Sequence, residues 1–146
     1  MPRLYRKQPD SSAFTEPRVL AQVLAEPGHF EQTVRCYERL TGTTLDMDLD
    51  AREFGIRTAA VGAFLIIDLD PAQRDRAEQA RNTAVTMIFA HLDTAIETSL
   101  ALGAELVGDP FPAAVGRGAR LRHPDGLLVE YLEHRPSPYD ADSSAL

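Results

Sequence analysis

The order of hydrophobic and polar residues predicts the same series of elements twice along the chain. A short Val- and Leu-rich segment at residues 18–25 ends at a Pro-Gly pair and predicts a strand. Residues 29–41 place apolar side chains at helical spacing and end before Gly42, which predicts a helix. Three strands are then predicted at residues 44–50, 53–61 and 63–69. The first series is therefore β-α-β-β-β.

After this series, a polar segment at residues 71–82 predicts either a helical turn or an exposed loop. A second series then begins with a predicted strand at residues 83–90. Asp93 is predicted to cap a helix that runs to Leu102 and ends at Gly103. Three more strands are predicted at residues 104–108, 118–123 and 127–133. The second series thus repeats the order of the first.

The two series also agree in register, which indicates an internal duplication. Gly42 and Gly103 end the two predicted helices, and the helices begin at a nearly equal offset. At the same offset the segment LIIDLD lies over LLVEYL, so that Asp68 falls on Glu130. Several landmarks that share one offset and one element order are the signature of a repeated unit.

Composition and charge limit the class of protein. The chain has 146 residues, 44% of them hydrophobic and 25% charged, which is the balance of one globular domain or of two small fused repeats. A net charge of −7 argues against nucleic acid as a partner, since that would need a clustered basic face. No segment approaches the roughly 20 apolar residues that span a bilayer, so no membrane partner is expected.

The two ends of the chain differ from the body between them. The first residues lack the apolar stretch of a secretory signal and Cys36 is the single cysteine, so a cytoplasmic protein without a disulfide is expected. Residues 1–17 are interrupted by prolines and predict an N-terminal arm. Residues 135–146 are rich in small polar residues and predict a flexible tail. The domain between them spans residues 18–134, with modules at residues 18–70 and 83–134.

Three segments carry a resemblance to a known family. They are EQTVRCYERLTG at residues 31–42, LDTAIETSLALGAELVGDP at residues 92–110 and HPDGLLVEYLEH at residues 123–134. In this order and spacing they resemble the vicinal oxygen chelate superfamily, which includes glyoxalases, bleomycin-resistance proteins, methylmalonyl-CoA epimerases and extradiol dioxygenases. The resemblance implies an α+β fold in which two βαβββ modules form curved mixed sheets around a central pocket. The alternative is a ferredoxin-like dimeric barrel, which predicts one continuous sheet per chain.

The resemblance also indicates where a metal would be held. Members of the superfamily commonly place one ligand on the first strand and one on the last strand of each module, and these positions correspond to Gln22, Asp68, Ala84 and Glu130. Zinc, nickel and iron sites normally include an imidazole, and no histidine of the chain falls on a mapped position. We therefore expect no cofactor. The alternative is Mg²⁺ or Mn²⁺ held by oxygen atoms of Gln22, Asp68 and Glu130.

Glu130 is the strongest catalytic candidate because it lies inside the apolar strand LLVEYL. A carboxylate there is costly unless it is paired or faces a polar cavity. Facing the pocket, it would have a raised pKa and would serve as a base, with Gln22 or Asp68 orienting the substrate. The alternative is that Glu130 pairs with a neighbouring arginine: Arg57, Arg120 or Arg122.

Three functions are compatible with these residues. The first is an enzyme of the isomerase or lyase type that moves a proton at a carbon next to a carbonyl group, with Glu130, Gln22 and Asp68 as catalytic residues. The reaction would be an isomerisation, a cyclisation or an elimination of a small molecule bound between the modules. The second is a protein that sequesters an antibiotic or a metabolite in the same pocket without turnover. The third is a dimerisation module whose pocket is filled by its own side chains.

A homodimer is predicted because curved half-barrel sheets leave edges to cover, and relatives of this fold commonly pair subunits. Light scattering at micromolar concentration is expected to give twice the mass of one chain. The mass of a single chain would contradict the prediction.

Overall fold

The computed structural model describes residues 1–141, with all of their side chains except those of Arg74, Arg76, Ala77 and Ala80. These residues form ten strands and three α-helices. In chain order the elements are β1 (Arg3–Arg6), β2 (Arg18–Leu24), α1 (Phe30–Thr41), β3 (Met47–Ala51), β4 (Ile56–Val61), β5 (Phe64–Leu69), α2 (Arg74–Asn82), β6 (Val85–Phe89), α3 (Leu92–Ala101), β7 (Glu105–Leu106), β8 (Phe111–Ala113), β9 (Gly116–Arg122) and β10 (Leu128–His134), with a 3₁₀ turn at Arg52–Phe54 before β4.

All of the strands belong to one curved sheet, in the order β1-β3-β4-β5-β2-β6-β10-β9-β7, with β8 also paired to β9. In the first module β2 runs parallel to β5, and in the second module β6 runs parallel to β10. The modules meet where β2 and β6 pair antiparallel, with Leu20 opposite Thr86. The two halves of the sheet are therefore duplicated units that lie edge to edge.

This topology confirms the predicted α+β fold of two βαβββ modules and corrects one detail. Two sheets were expected, whereas the pairing of β2 with β6 joins them into one. An unpaired strand edge leaves backbone N–H and C=O groups without partners, and this pairing satisfies them. The ferredoxin-like alternative also predicted a continuous sheet, but it does not account for the repeated order of elements.

One face of the sheet is covered by the helices α1 and α3. Phe30 and Val34 of α1 are buried against Ala59, Val61 and Ile66 of the first module. The equivalent cluster of the second module consists of Leu92, Ile96, Ala104, Ala119, Leu121, Val129 and Tyr131. None of the described helices is both long enough and apolar enough to cross a bilayer.

The opposite face of the sheet is concave, and its apolar residues form an inner cluster that contains Leu20, Leu65, Ile67, Ile88 and Leu132. These residues alternate along their strands with the residues under the helices, because successive side chains of a strand point to opposite faces. The concave face is therefore where the two modules can enclose a ligand.

Both ends of the chain are packed against each other. The predicted arm contains β1, which pairs with β3 at one edge of the sheet. Leu4 is fully buried, and its N–H donates to the carbonyl of Tyr139 at 3.0 Å, while the N–H of Ala141 donates to the carbonyl of Leu4 at 2.7 Å. Residues 139–141 thus pack against the arm, whereas the sequence predicted a flexible tail over residues 135–146. Residues 142–146 of that tail lie outside the described residues.

Arg6 holds this junction of the chain ends together. Its side chain is only 1% exposed. Nε and Nη2 donate to the two carboxylate oxygens of Asp140 at 2.9 and 2.8 Å. Nη1 donates to the carbonyl of Val115 at 2.8 Å, and Nη2 also donates to that of Arg135 at 2.9 Å. One guanidinium therefore links the arm to the second module and to the tail.

Three local predictions differ from the structure. For the polar segment between the modules a helical turn or a loop was predicted, and the segment contains a longer helix of nine residues, α2. The second-module helix begins at Leu92, and Asp93 contacts Arg117 at 3.3 Å instead of capping the helix. The short strand β8 was not predicted, because Pro112 lacks the N–H that a strand normally uses.

Candidate active site

The concave face encloses a cavity of about 670 Å³ between the two modules. Polar side chains from both modules line it: Gln22 from β2 of the first module, and Glu130 from β10 and Arg120 from β9 of the second. Pro2 of the arm and Tyr139 of the tail also line it. Most of the remaining wall is apolar and includes Leu49, Ile56, Leu65, Ile67 and Leu69. A few polar groups in an apolar cavity are typical of a small-molecule site.

A chain of hydrogen bonds joins Gln22, Thr86 and Glu130 across the three central strands. The Nε2 of Gln22 donates to the Oγ1 of Thr86 at 2.7 Å, and this hydroxyl donates to the Oε1 of Glu130 at 3.2 Å. Glu130 lies opposite Thr86 in the parallel pairing of β10 with β6. Thr86 is completely buried, so its side chain has a fixed position in β6. Its hydroxyl therefore fixes the orientation of the Glu130 carboxyl to which it donates.

The cavity changes the acidity of Glu130. Burial disfavours its charged form and raises the pKa of the carboxyl above the usual range for glutamate. The nearby positive charge of Arg120 and the hydrogen bond from Thr86 lower the pKa again, but by less than burial raises it. A carboxylate with a raised pKa in a cavity is suited to accept a proton near neutral pH.

Gln22 adds an acceptor to the same site. Its Oε1 is buried and has no hydrogen-bond partner among the described residues. Buried polar atoms are normally paired, so an unpaired amide oxygen beside a cavity indicates a place for a donor group of a ligand or a water molecule.

The structure does not bring Asp68 to the cavity. Leu65, Ile67 and Leu69 of β5 line the cavity, so Asp68 points to the opposite face of the strand. There it lies opposite Arg57 of β4. Aligning the two modules by sequence placed Asp68 on Glu130, but a shift of one residue in a strand moves every side chain to the other face.

Thr86 is the site residue that sequence reasoning did not find. The mapped position on that strand was Ala84, whose carbonyl accepts a hydrogen bond from the N–H of Gln22 at 2.9 Å. Thr86 is two residues further along the chain and therefore has the same facing as Ala84. Alternation alone would have offered Thr86 as a candidate, but only the pairing with Glu130 identifies it.

The donor groups at the cavity do not fit the metal that the superfamily commonly holds. Gln22 and Glu130 supply one amide oxygen and one carboxylate, and Ala84 supplies no side-chain donor. No imidazole lines the cavity among its described residues, and residues 1–141 contain no group of three or more His, Cys, Asp or Glu side chains placed to hold a metal ion. Zinc sites normally include nitrogen or sulfur ligands, and magnesium prefers several oxygen ligands in octahedral geometry.

We expect that EDTA leaves the melting temperature of the purified protein unchanged, because the side chains at the cavity offer too few donor groups to hold a stabilising metal. Elemental analysis of the same preparation should find less than one Zn, Ni, Fe or Mn per chain. One metal per chain that is lost in a Glu130→Ala variant would contradict this expectation and restore Mg²⁺ or Mn²⁺ as the alternative.

Comparisons with known proteins find the fold of this chain among solved structures. No protein-family model matches the chain, and neither does any curated protein at a significant level. Among solved structures, an uncharacterized protein from Methanosarcina mazei is 25% identical, with a TM-score of 0.64 over 80% of this chain and 91% of that chain.

Two further matches are methylmalonyl-CoA epimerases. The enzyme from Mycobacterium tuberculosis is 21% identical, with a TM-score of 0.54 over 81% of this chain and 86% of that chain. A variant of the enzyme from Streptomyces coelicolor, in complex with 2-nitronate-propionyl-CoA, is 21% identical, with a TM-score of 0.57 over 82% and 98%. Likeness at these identities establishes the fold and not the reaction. The chain therefore has the glyoxalase-like fold of the vicinal oxygen chelate superfamily, as the resemblance predicted.

Proposed function

We propose that the protein is an enzyme that moves a proton at a carbon next to a carbonyl group, with Glu130 as the base and without a metal. The observation that carries this proposal is the Glu130 carboxyl, which lines the cavity with a raised pKa and is oriented by Thr86. A base of this kind contributes most when its pKa lies near the operating pH.

The reaction would proceed in balanced steps. Thr86 bonds one oxygen of Glu130, Oε1, and the other oxygen, Oε2, accepts no hydrogen bond within the described part of the chain. Oε2 would remove the proton from the substrate carbon, the electron pair of the broken C–H bond would form a C=C bond, and the π pair of the carbonyl would move to its oxygen to give an enolate. Return of the proton to the same or a neighbouring carbon gives isomerisation. Loss of a leaving group gives elimination, and attack of the enolate carbon on a second carbonyl gives cyclisation.

The related structures support this class of reaction. Two of the matches described above are methylmalonyl-CoA epimerases, and epimerisation of methylmalonyl-CoA inverts a carbon that stands between two carbonyl groups. We infer that the present cavity serves proton transfer at a similar kind of carbon, although its substrate need not be a CoA ester.

A second candidate function is sequestration of a small apolar compound, such as an antibiotic, without turnover. The apolar wall formed by the first module favours this function, because an apolar compound is bound when its surface and the wall are both removed from water. Such binding needs no base. The two functions differ in what Glu130 does, since sequestration does not depend on its ability to accept a proton.

Deuterium exchange tests the proposal directly. The protein is incubated in D₂O with pyruvate, acetoacetate and levulinate and with their neutral amides, and loss of the signals of the protons next to the ketone is followed by NMR. Exchange faster than in buffer with any of these probes supports the proposal. Binding of the probes with no acceleration of exchange would favour sequestration.

The hydrogen bond from Thr86 should appear in the pH dependence of exchange. In a Thr86→Val variant the pKa of Glu130 should rise further, because an interaction that favours the carboxylate is lost. The pH at which exchange reaches half of its maximal rate should therefore move upward. Thr58→Val is the matched control, since Thr58 is also buried at the cavity but forms no side-chain hydrogen bond in the described part of the chain. An equal shift in both variants would contradict the role of Thr86.

A further inference from the structure

Arg120 is an arginine of the cavity that forms no close ion pair with any described residue. Within residues 1–141, six other arginines each form an ion pair with an aspartate or glutamate: Arg6, Arg18, Arg52, Arg57, Arg117 and Arg135. The Arg120 side chain lines the cavity and, among the described residues, its guanidinium donates no hydrogen bond and forms no ion pair. It lies opposite Glu130 in the pairing of β9 with β10 and its charge acts on that carboxyl, yet no ion pair or hydrogen bond joins the two side chains in the described part of the chain.

The guanidinium is nevertheless held in place by its neighbours. Its central carbon lies 5.0 Å from the centre of the Phe111 ring, which is the geometry of a cation–π contact. Phe111 in turn sits over Gly118, where an added Cβ would come within 2.6 Å of the ring. The absent side chain at Gly118 thus makes room for the ring that supports Arg120.

We propose that Arg120 binds a carboxylate of the substrate and so places the acidic carbon at Glu130, which makes the substrate a small oxo acid. This inference rests on the proposed function and adds the substrate class to it. A guanidinium presents a planar fork of N–H donors that matches a carboxylate, and the aromatic ring beneath it leaves the edge of the fork available. The neighbouring apolar wall suits the carbon chain of such a substrate.

The charges of the site fit an anionic substrate. Without a ligand, the positive charge of Arg120 favours the ionised form of Glu130 and lowers the pKa of its carboxyl. A carboxylate bound to Arg120 offsets that charge and brings a negative charge close to Glu130. Both effects raise the pKa of Glu130, so binding of the substrate would make Glu130 a stronger base at the moment it is needed.

Arg122 provides a matched control for Arg120. It is two residues further along β9, so its side chain leaves the same face of the strand, but it is exposed and does not line the cavity. An Arg122→Gln variant therefore removes the same charge from nearly the same region without changing the cavity.

The test compares each acid of the probe set with its amide in calorimetric binding measurements: pyruvate, acetoacetate and levulinate against pyruvamide, acetoacetamide and levulinamide. For the acid that fits best, the wild-type protein should bind the acid about tenfold or more tightly than the amide, since a charge-assisted pair replaces a neutral contact. Arg120→Gln should abolish this preference, and Arg122→Gln should retain it. Arg120→Lys should keep part of it, and this variant decides the test if Arg120→Gln does not fold.

Four results would overturn the inference: no preference for any acid in the wild type, failure of every acid to bind up to its solubility limit, a preference that survives Arg120→Gln, or an equal loss in Arg122→Gln. Exchange rates separate this inference from the proposed function. If Arg120→Gln slows exchange equally for acids and amides, Arg120 acts on the enolate and not on a carboxylate, and the inference fails while the proposed function stands. If acids bind through Arg120 but their exchange is not accelerated, the proposed function fails and the carboxylate site stands.

Discussion

Replacing Glu130 by Gln should slow deuterium exchange into the best probe by about 10²- to 10⁴-fold, which is the range that a positioned general base contributes. Glutamine keeps the shape of the side chain and can still accept the hydrogen bond from Thr86, but it cannot take a proton. Binding of the probe should change little, because Glu130 acts on the transferred proton. The measurement is the initial exchange rate, with Glu133→Gln as the control, since Glu133 bonds the N–H of Leu92 away from the cavity.

The stability of the Glu130→Gln variant also tests whether Glu130 is a buried carboxyl with a raised pKa. A carboxyl whose pKa is raised in the folded state binds its proton more tightly there than in the unfolded chain. Its stabilising contribution is complete below the ordinary pKa of glutamate and is lost as the pH rises through the raised value. Glu130→Gln should therefore be more stable than the wild type at neutral pH, and the difference should disappear in acid. An inactive variant that is less stable at neutral pH would contradict the assignment of Glu130 as a desolvated base.

The second large effect is expected at the junction of the two chain ends. Arg6→Ala removes a buried cation and the hydrogen bonds that it donates to the Asp140 carboxylate and to the carbonyls of Val115 and Arg135. Breaking one side of a buried ion pair costs about 3–5 kcal/mol, and the lower part of this range is expected because the Asp140 side chain is 21% exposed. Urea unfolding followed by circular dichroism measures the loss.

The control for Arg6 is the exposed pair between Arg52 and Asp50. The Arg52 side chain is 68% exposed, and its ion pair with Asp50 is 2.8 Å long. Arg52→Ala should lower the urea midpoint far less than Arg6→Ala does, because an ion pair in water is screened by the solvent. If both substitutions have the same cost, the guanidinium of Arg6 does not hold the chain ends together.

Periodicity was sufficient to predict the helices α1 and α3 and the duplication. The apolar spacing of residues 29–41 predicted α1 to within one residue at its start, and the second helix begins one residue before its predicted cap. These features depend on local sequence, where the helical repeat is unambiguous. The arm strand β1 was missed because its four residues are stabilised by pairing with β3 and by the tail, which are distant in sequence.

Only part of the candidate site was predicted, because the facing and register of strands also depend on segments that are distant in sequence. Gln22 and Glu130 lie on strands whose apolar pattern indicates the inward face, and the structure brings both to the cavity. The facing of Asp68 depends on which side of β5 contacts the helix, and that is decided by packing. Thr86 and Arg120 gain their significance from register across neighbouring strands, which a single sequence does not specify.

The contact between arm and tail also sets the order in which the cavity can be completed during protein synthesis. The arm is made first and can pair with β3 as soon as the first module emerges from the ribosome. Arg135 and Asp140, which accept hydrogen bonds from Arg6, and the cavity residue Tyr139 are made only after both modules. A nascent chain that has folded both modules therefore still lacks the Asp140 carboxylate beside Arg6 and the part of the cavity wall that Tyr139 forms. This wall of the cavity is completed only once residues 135–140 have been translated.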